Sequence, residues 1–177
     1  MKVSIRKMRW LMFLLGRVKI PLIGYTSPKL ISIDNQSVQV KIKLRRRTKN
    51  HLNSMYFGAL AVGADIAGGI QVFYFSKLIG REISFAFKGM NAEFIKRAES
   101  DIIFESNQGD LVKAAIDKSI SEKSRVNETI EVVAKNDARI ICLKFFIRNS
   151  LFLTRIYDIW FHRFSSRESI FHNSNKI

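Results

Sequence analysis

Alternating apolar and polar residues predict several half-buried β-strands. Residues 36–44 show the alternation most clearly, with valine, isoleucine and leucine on one face and glutamine and lysine on the other. Further strand segments follow at residues 82–88, 101–106, 126–134 and 138–148. The last of these is apolar on both faces, which is typical of a central strand.

Three other segments have the period of an α-helix. Residues 1–15 place apolar side chains on one face and basic side chains on the other, which predicts an amphipathic helix. This helix either packs on the flank of the domain or lies on an anionic membrane surface. Residues 111–120 predict a short helix, and residues 151–164 predict a second amphipathic helix that covers a sheet edge, a membrane or a partner.

The longest apolar segment, residues 55–76, contains one charged residue, Asp65. Its length would suffice to cross a bilayer, but an unpaired carboxylate near its centre would cost about 2.5–3.5 kcal/mol on insertion scales. The segment is rich in alanine and glycine, which lets a sheet approach the helix backbone closely. We therefore expect a buried helix rather than a membrane span. The resulting fold class is α+β, with one long central helix wrapped by a curved antiparallel sheet.

Positive charge is concentrated in the first fifty residues. They contain thirteen lysines and arginines and one acid, Asp34, and so supply +12 of the net charge of +15. Such a segment attracts the phosphates of a nucleotide-bearing cofactor, anionic lipid headgroups or nucleic acid. Nucleic acid is the least favoured of these, because few aromatic residues are interleaved with the basic ones and no binding motif is present.

The remaining composition predicts one folded domain with extensions, since 47% of the residues are hydrophobic. One cysteine and three histidines exclude a cysteine-rich zinc site, so we expect no metal and a cytoplasmic location, with contact at the inner membrane surface as an option. We expect a basic amphipathic helix or arm at residues 1–24 and the main domain at residues 25–149. A C-terminal amphipathic helix and polar tail would follow at residues 150–177. Residues 1–18 are expected to form a peripheral helix with weak affinity for anionic surfaces and to be dispensable for the core fold.

The segment from Asn50 to Asp65 carries a resemblance. Its sequence, Asn-His-Leu-Asn-Ser-Met-Tyr-Phe-Gly-Ala followed by Leu-Ala-Val-Gly-Ala-Asp, resembles the start of the central helix in hotdog-fold acyl-CoA thioesterases of the phenylacetyl-CoA type. Within the hotdog-fold thioesterase superfamily, it is most similar to a poorly characterised branch that is known only as a domain of unknown function. By spacing, Asn50 matches the family's asparagine, Tyr56 its histidine, Phe57 and Gly58 two of its next small residues, and Asp65 its catalytic acid.

This resemblance implies hydrolysis of an acyl-CoA thioester. Asp65 would activate water or attack the thioester, the backbone N–H groups of Phe57 and Gly58 would hold the oxyanion, and Asn50 would orient the nucleophile or the carbonyl. Tyr56 would occupy the place of the histidine. Lys96 and Arg97 would bind the phosphates of coenzyme A, which enters as part of the substrate, so no separate cofactor is implied.

Physical arguments support a shared site between two chains. The first turn of a helix offers unpaired N–H donors, but Asp65 is eight residues beyond Phe57, about 12 Å along the helix axis. One carbonyl cannot contact both, whereas two antiparallel helices in a homodimer, alone or within a tetramer of dimers, would bring them together. Asn50 either has the orienting role or closes a turn or caps the helix. Two further alternatives stay open. The domain is a noncatalytic binder of an acyl chain or acyl-CoA, or Asp65 is a buried carboxylate with a structural role at the interface.

Overall fold

The structure, a computed structural model, describes residues 3–153. At the N-terminus lie α1 (Ile5–Leu14), a π-helical turn (Leu15–Lys19) and α2 (Pro21–Thr26), followed by two strands, β1 (Lys29–Ile33) and β2 (Val38–Ile42). The long helix α3 (Phe57–Ile79) comes next. The remaining elements are β3 (Ile83–Phe94), β4 (Ile102–Ser106), α4 (Gly109–Glu122), β5 (Val126–Asn136) and β6 (Ile141–Leu153).

All six strands form one antiparallel sheet in the order β1-β2-β4-β5-β6-β3. The strand predicted to be central, β6, lies between β5 and β3, and its inward side chains Phe145, Ile147 and Leu151 are fully buried. β1 and β3 are the two edges. The N-terminal helices lie on the β1 side, because α1 packs on β1.

Helix α3 is buried against the sheet and contacts every strand from β2 to β6. Fourteen of its 23 residues are buried, and the helix has no polar face of the kind that a surface helix exposes to water. Although α3 is long and apolar enough to cross a membrane by length and composition, its interior position explains that composition. The ring of Phe104 fills the space beside Gly63, where a β-carbon would overlap it. The predicted α+β plan, a long central helix wrapped by one sheet, is confirmed.

The N-terminal segment contributes to the core, which agrees with the predicted packing on the flank of the domain and argues against its being dispensable. Met8 and Met12 on α1 are only 1% and 7% exposed and belong to the same apolar cluster as the sheet. The predicted apolar and basic faces of α1 are otherwise confirmed, since Arg6 and Arg9 are exposed. The sequence prediction missed α2, where Pro21 begins the helix instead of ending one; proline is well tolerated at a first helical position.

Three strand boundaries also differ from the prediction. β1 was missed because the adjacent apolar residues Leu30 and Ile31 break the alternation of apolar and polar residues. β3 extends to Phe94, past the bulge between Phe87 and Gly89 that interrupts its pairing with β6. Residues 151–153, predicted as the start of a helix, continue β6 instead. The rest of the predicted C-terminal helix lies outside the described residues.

Two glycine substitutions on α3 should differ in their effect on stability. Alanine at either position raises helix propensity by about 1 kcal/mol. Gly63→Ala nevertheless forces the Phe104 ring to move and should lower the free energy of unfolding by about 1–3 kcal/mol. Gly68→Ala meets Ile147 Cδ1 at 3.1 Å, a flexible methyl, and should be near neutral. Urea unfolding at one protein concentration measures both; equal effects would show that close packing at Gly63 is unimportant.

Candidate functional site

The N-terminus of α3 exposes two backbone donors. Tyr56 is the N-cap, has extended backbone geometry and makes no side-chain capping bond. Its carbonyl accepts hydrogen bonds from the N–H groups of Ala59 and Leu60 at 2.9 and 3.1 Å. The N–H groups of Phe57 and Gly58 have no acceptor within residues 3–153. They carry the partial positive charge of a helix start and are available to an oxygen atom of a ligand.

The loop before α3 is held by Asn50. Its side-chain oxygen accepts hydrogen bonds from the N–H groups of Leu52 and Ser54 at 2.9 and 3.1 Å, and its amide donates to Ser54 Oγ at 2.9 Å. Both ends of the Asn50 side chain are therefore engaged inside the loop. These contacts give Asn50 a positioning role, which differs from the contact with nucleophile or carbonyl that the resemblance implies.

Tyr56 and Phe57 are exposed beside the two donors, at 58% and 49%. The Tyr56 ring lies over Gly58, where an added β-carbon would be 2.7 Å from its Cε1 atom. The Phe57 ring packs instead against Phe94 of β3, with ring centroids 5.9 Å apart. Tyr56 and Phe57 stand where the thioesterases that this segment resembles have a histidine and a small residue. Their rings lie on two sides of the helix start and leave the backbone donors in place.

Arg97 lies at the same loop. Its Nη2 atom donates to the carbonyl of Leu52 at 2.8 Å, and its Nε atom is 3.4 Å from Glu99 Oε1. Lys96 is anchored through its backbone N–H, which donates to the carbonyl of Cys142. Both side chains are exposed, and the bond from Arg97 to Leu52 fixes this basic pair next to the entrance of α3.

Asp65 lies two turns further along α3, on the same helical stripe as Gly58. It is partly buried, and within the described residues no hydrogen bond or ion pair reaches its carboxylate. Loss of hydration therefore raises the pKa of Asp65 to about 6. A carboxylate with this pKa is close to the optimum for accepting a proton near neutral pH.

One chain does not bring Asp65 to the backbone donors. α3 is continuous from Phe57 to Ile79, so the eight intervening residues keep the two about 12 Å apart along the axis. The stripe that carries Gly58 and Asp65 lies on the β3 side of the helix, where Gly69 approaches the Phe85 ring. On this side, Phe87 and Phe94 of β3 are exposed. Phe87 lies within the strand predicted at residues 82–88, whereas the position of Phe94 on the same strand was not predicted, because the bulge between Phe87 and Gly89 interrupts the alternation.

Other chemically reactive side chains lie elsewhere. His51 is exposed in the loop, and Ser84 is exposed on β3. Cys142 is buried, and burial raises the pKa of its thiol, as expected for an unreactive core cysteine. Among residues 3–153, no cluster of three histidine, cysteine or acidic side chains could hold a metal ion.

Comparison with known proteins identifies the fold. Residues 9–147 match the family model described as a domain of unknown function, DUF4442. A candidate thioesterase from Shewanella oneidensis has a similar structure, with TM-score 0.72, 12% identity, and 83% of this chain and 99% of that chain covered. A protein of unknown function from Pseudomonas aeruginosa gives TM-score 0.71 and 19% identity over 87% and 99%. No curated protein matches the sequence.

A solved structure of a thioesterase has the same fold. A thioesterase from Haemophilus influenzae aligns with TM-score 0.63 and 8% identity, covering 86% of this chain and 93% of that chain. At such identities the likeness concerns the fold alone. The hotdog fold inferred from the residues around Asn50 is therefore confirmed.

The raised pKa of Asp65 predicts a pH-dependent stability. Between about pH 4 and 6 the folded protein holds a proton on Asp65 that the unfolded chain has lost, so the wild-type free energy of unfolding should fall as the pH rises through this range. Asp65→Asn removes the ionisable group and with it this fall in the free energy of unfolding. It should be more stable than wild type by about 1–2 kcal/mol near pH 7, allowing for partial solvent access, and equal to it near pH 4.

Urea titrations across this pH range test the prediction. The matched control is Asp117→Asn, which alters an exposed aspartate on α4 that pairs with Lys113. It should show no gain in stability at neutral pH. A gain from Asp65→Asn that is the same at pH 4 and 7 would contradict a raised pKa.

Proposed function

This chain belongs to the DUF4442 family, a domain of unknown function, and on that premise we propose that it is a hotdog acyl-CoA thioesterase. The observation that carries the proposal is the pairing, on one helix, of two free backbone donors with a carboxylate whose pKa is raised to about 6. Thioester hydrolysis requires both kinds of group: donors for the developing oxyanion and a base for water.

The reaction proceeds at the N-terminus of α3. The thioester carbonyl oxygen accepts hydrogen bonds from the N–H groups of Phe57 and Gly58, which stabilise the negative charge that forms there. The carboxylate of Asp65 takes a proton from water as the water oxygen bonds to the carbonyl carbon. The carbon–sulfur bond then breaks, and the thiolate takes the proton from Asp65. The products are a carboxylic acid and the coenzyme A thiol.

A second copy of the chain would bring an Asp65 carboxylate close to the backbone donors. Within the described residues, β3 pairs only with β6, so its outer edge is open. Two copies joined antiparallel along this edge would make their α3 helices antiparallel and bring Asp65 of one copy toward the helix start of the other. The exposed rings of Phe87 and Phe94 lie on this strand and would be buried in such a dimer. A tetramer of dimers would preserve the same site.

Coenzyme A phosphates have a binding position beside this site. Lys96 and Arg97 are exposed and lie next to the loop that begins α3, within reach of a ligand that extends outward from the donors. Guanidinium and ammonium groups bind phosphate through charge-assisted hydrogen bonds. The two residues would hold the nucleotide end while the acyl end approaches Asp65.

Replacement of Asp65 tests the proposal. Thiol release should be assayed with short, medium, long and aromatic acyl-CoAs. Asp65→Asn should lower turnover at least about 10²-fold and keep acyl-CoA binding, because an amide has the shape of the carboxylate but cannot accept the proton. Wild-type kcat/KM should rise with pH through about 6, as Asp65 loses its proton.

The control again is Asp117→Asn, which should keep wild-type turnover. Full activity in Asp65→Asn would remove the assigned base and move attention to His51 and Tyr56. Binding of an acyl-CoA by wild type with no thiol release from any of the four classes would replace the enzyme with a noncatalytic binder.

A further inference from the structure

Helix α1 has a second apolar face that nothing in the described structure covers. Met8 and Met12 point into the core, whereas Trp10, Phe13 and Leu14 lie on the opposite side. Trp10 is 61% exposed and Phe13 is 55% exposed, and their rings stack with centroids 5.5 Å apart. An amphipathic helix that packs on a domain needs one apolar face, so packing on the domain does not explain the exposed apolar residues on the outer face of α1.

This apolar surface continues into α2 and is rigid. Gly16 and Gly24 bring the two helical segments into backbone contact, where a β-carbon on Gly16 would be 2.8 Å from the nitrogen of Gly24. We name α1, the π-helical turn and α2 the helical hairpin. Its large exposed apolar residues are Trp10, Phe13, Leu14, Val18, Ile20, Leu22 and Tyr25. Seven large exposed apolar side chains on two packed helical segments are typical of an interaction surface.

The charge around the helical hairpin selects the partner. The helical hairpin, residues 5–26, contains five basic residues and no acid, so the partner is anionic. A second copy of this chain would place two positive surfaces together. Nucleic acid would satisfy the charge but offers no apolar phase to leucine, valine and isoleucine. A bilayer of anionic phospholipid offers both a negative surface and an apolar interior, and tryptophan is enriched at that boundary.

A cavity of about 990 Å³ lies between the helical hairpin and β1. The basic side chains that line it are Arg9, Arg17, Lys29 and Arg47, and Phe13 and Leu30 contribute apolar walls. Two of the guanidinium groups are held in place. Arg9 Nε donates to the carbonyl of Leu30 at 2.9 Å, and Arg47 Nη2 donates to Ser27 Oγ at 3.0 Å, with Arg47 lying over the Tyr25 ring.

We propose that the helical hairpin docks on bilayers of anionic phospholipid, with Trp10, Phe13 and Leu14 in the headgroup region and one lipid phosphate in the cavity beside it. Arg9 Nε and Nη2 donate to the carbonyls of Leu30 and Ile31, and Arg47 Nη2 donates to Ser27 Oγ, so the donors that remain for phosphate oxygens are Nη1 of Arg9 and Nε and Nη1 of Arg47. Docking leaves the open edge of β3 free, since the helical hairpin lies on the β1 side and β3 is at the other edge of the sheet. The proposal does not depend on thioester hydrolysis.

Vesicle binding by the full-length protein tests the docking surface. The probes are vesicles of phosphatidylcholine with and without phosphatidylglycerol. Wild type should bind only the anionic vesicles at low salt. Trp10→Ala combined with Leu14→Ala should weaken binding at least about tenfold, and the loss should persist at high salt because it is hydrophobic. Arg17→Gln should weaken binding about fivefold at low salt and less at high salt.

Matched controls lie far along the chain. Ile140→Ala removes an exposed apolar side chain, and Lys118→Gln removes an exposed charge on α4; neither should change vesicle binding. All altered side chains are exposed, and circular dichroism checks that each variant is folded. Binding by wild type to neutral vesicles as tightly as to anionic ones, or equal binding by Trp10→Ala with Leu14→Ala, would overturn the proposal.

Tryptophan fluorescence gives an independent reading. The chain has two tryptophans, so Trp160→Phe leaves Trp10 as the sole emitter. Its emission should shift to shorter wavelength on addition of phosphatidylglycerol vesicles and stay unchanged with phosphatidylcholine alone. Unchanged emission with bound anionic vesicles would show that Trp10 does not enter the bilayer surface and would overturn the assigned docking face.

Discussion

Burial of α3 is the constraint on which the rest of the structure depends. A 23-residue helix with apolar side chains on nearly every face loses stability wherever water reaches it, so the sheet must contact it from β2 to β6. Glycine at position 63 admits the Phe104 ring, and the core closes tightly there. The one incompletely covered stripe of the helix, toward β3, is where Gly58 and Asp65 lie.

The same constraint shapes the chemistry. Burial raises the pKa of Asp65, and the helix start supplies N–H donors, so one element carries both of the groups that the proposed reaction uses as base and oxyanion donors. Because a helix is rigid, they stay about 12 Å apart within one chain. A two-fold dimer is therefore the simplest arrangement in which this helix can act on a thioester. The open edge of β3 and the exposed rings of Phe57 and Phe94 favour such an arrangement.

Sequence patterns predicted the central helix, because a long apolar run of small residues with Asp65 near its centre suits a buried helix better than a membrane span. They predicted most of the sheet, because β2 and β5 alternate strongly. They did not predict β1, where Leu30 and Ile31 are adjacent and break the alternation, or α2, where proline begins a helix. The site residues were located by resemblance, but Asn50 could not be assigned from sequence: its hydrogen bonds to Leu52 and Ser54 depend on loop geometry. The outer face of α1 was overlooked because Trp10 and Phe13 share the exposed side of the helix with Arg6, and only packing shows which apolar side chains stay uncovered.

The central claim, that each active site combines the helix start of one chain with Asp65 of another, is tested by mixing two inactive variants. Phe57→Pro removes one N–H donor yet suits a first helical position after extended Tyr56, whereas Phe57→Ala keeps the donor and should stay active. Coexpressed Phe57→Pro and Asp65→Asn chains form heterodimers with one intact site, so thiol release should recover to about a quarter of the wild-type rate with random pairing. No recovery, with heterodimers verified, would contradict a shared site.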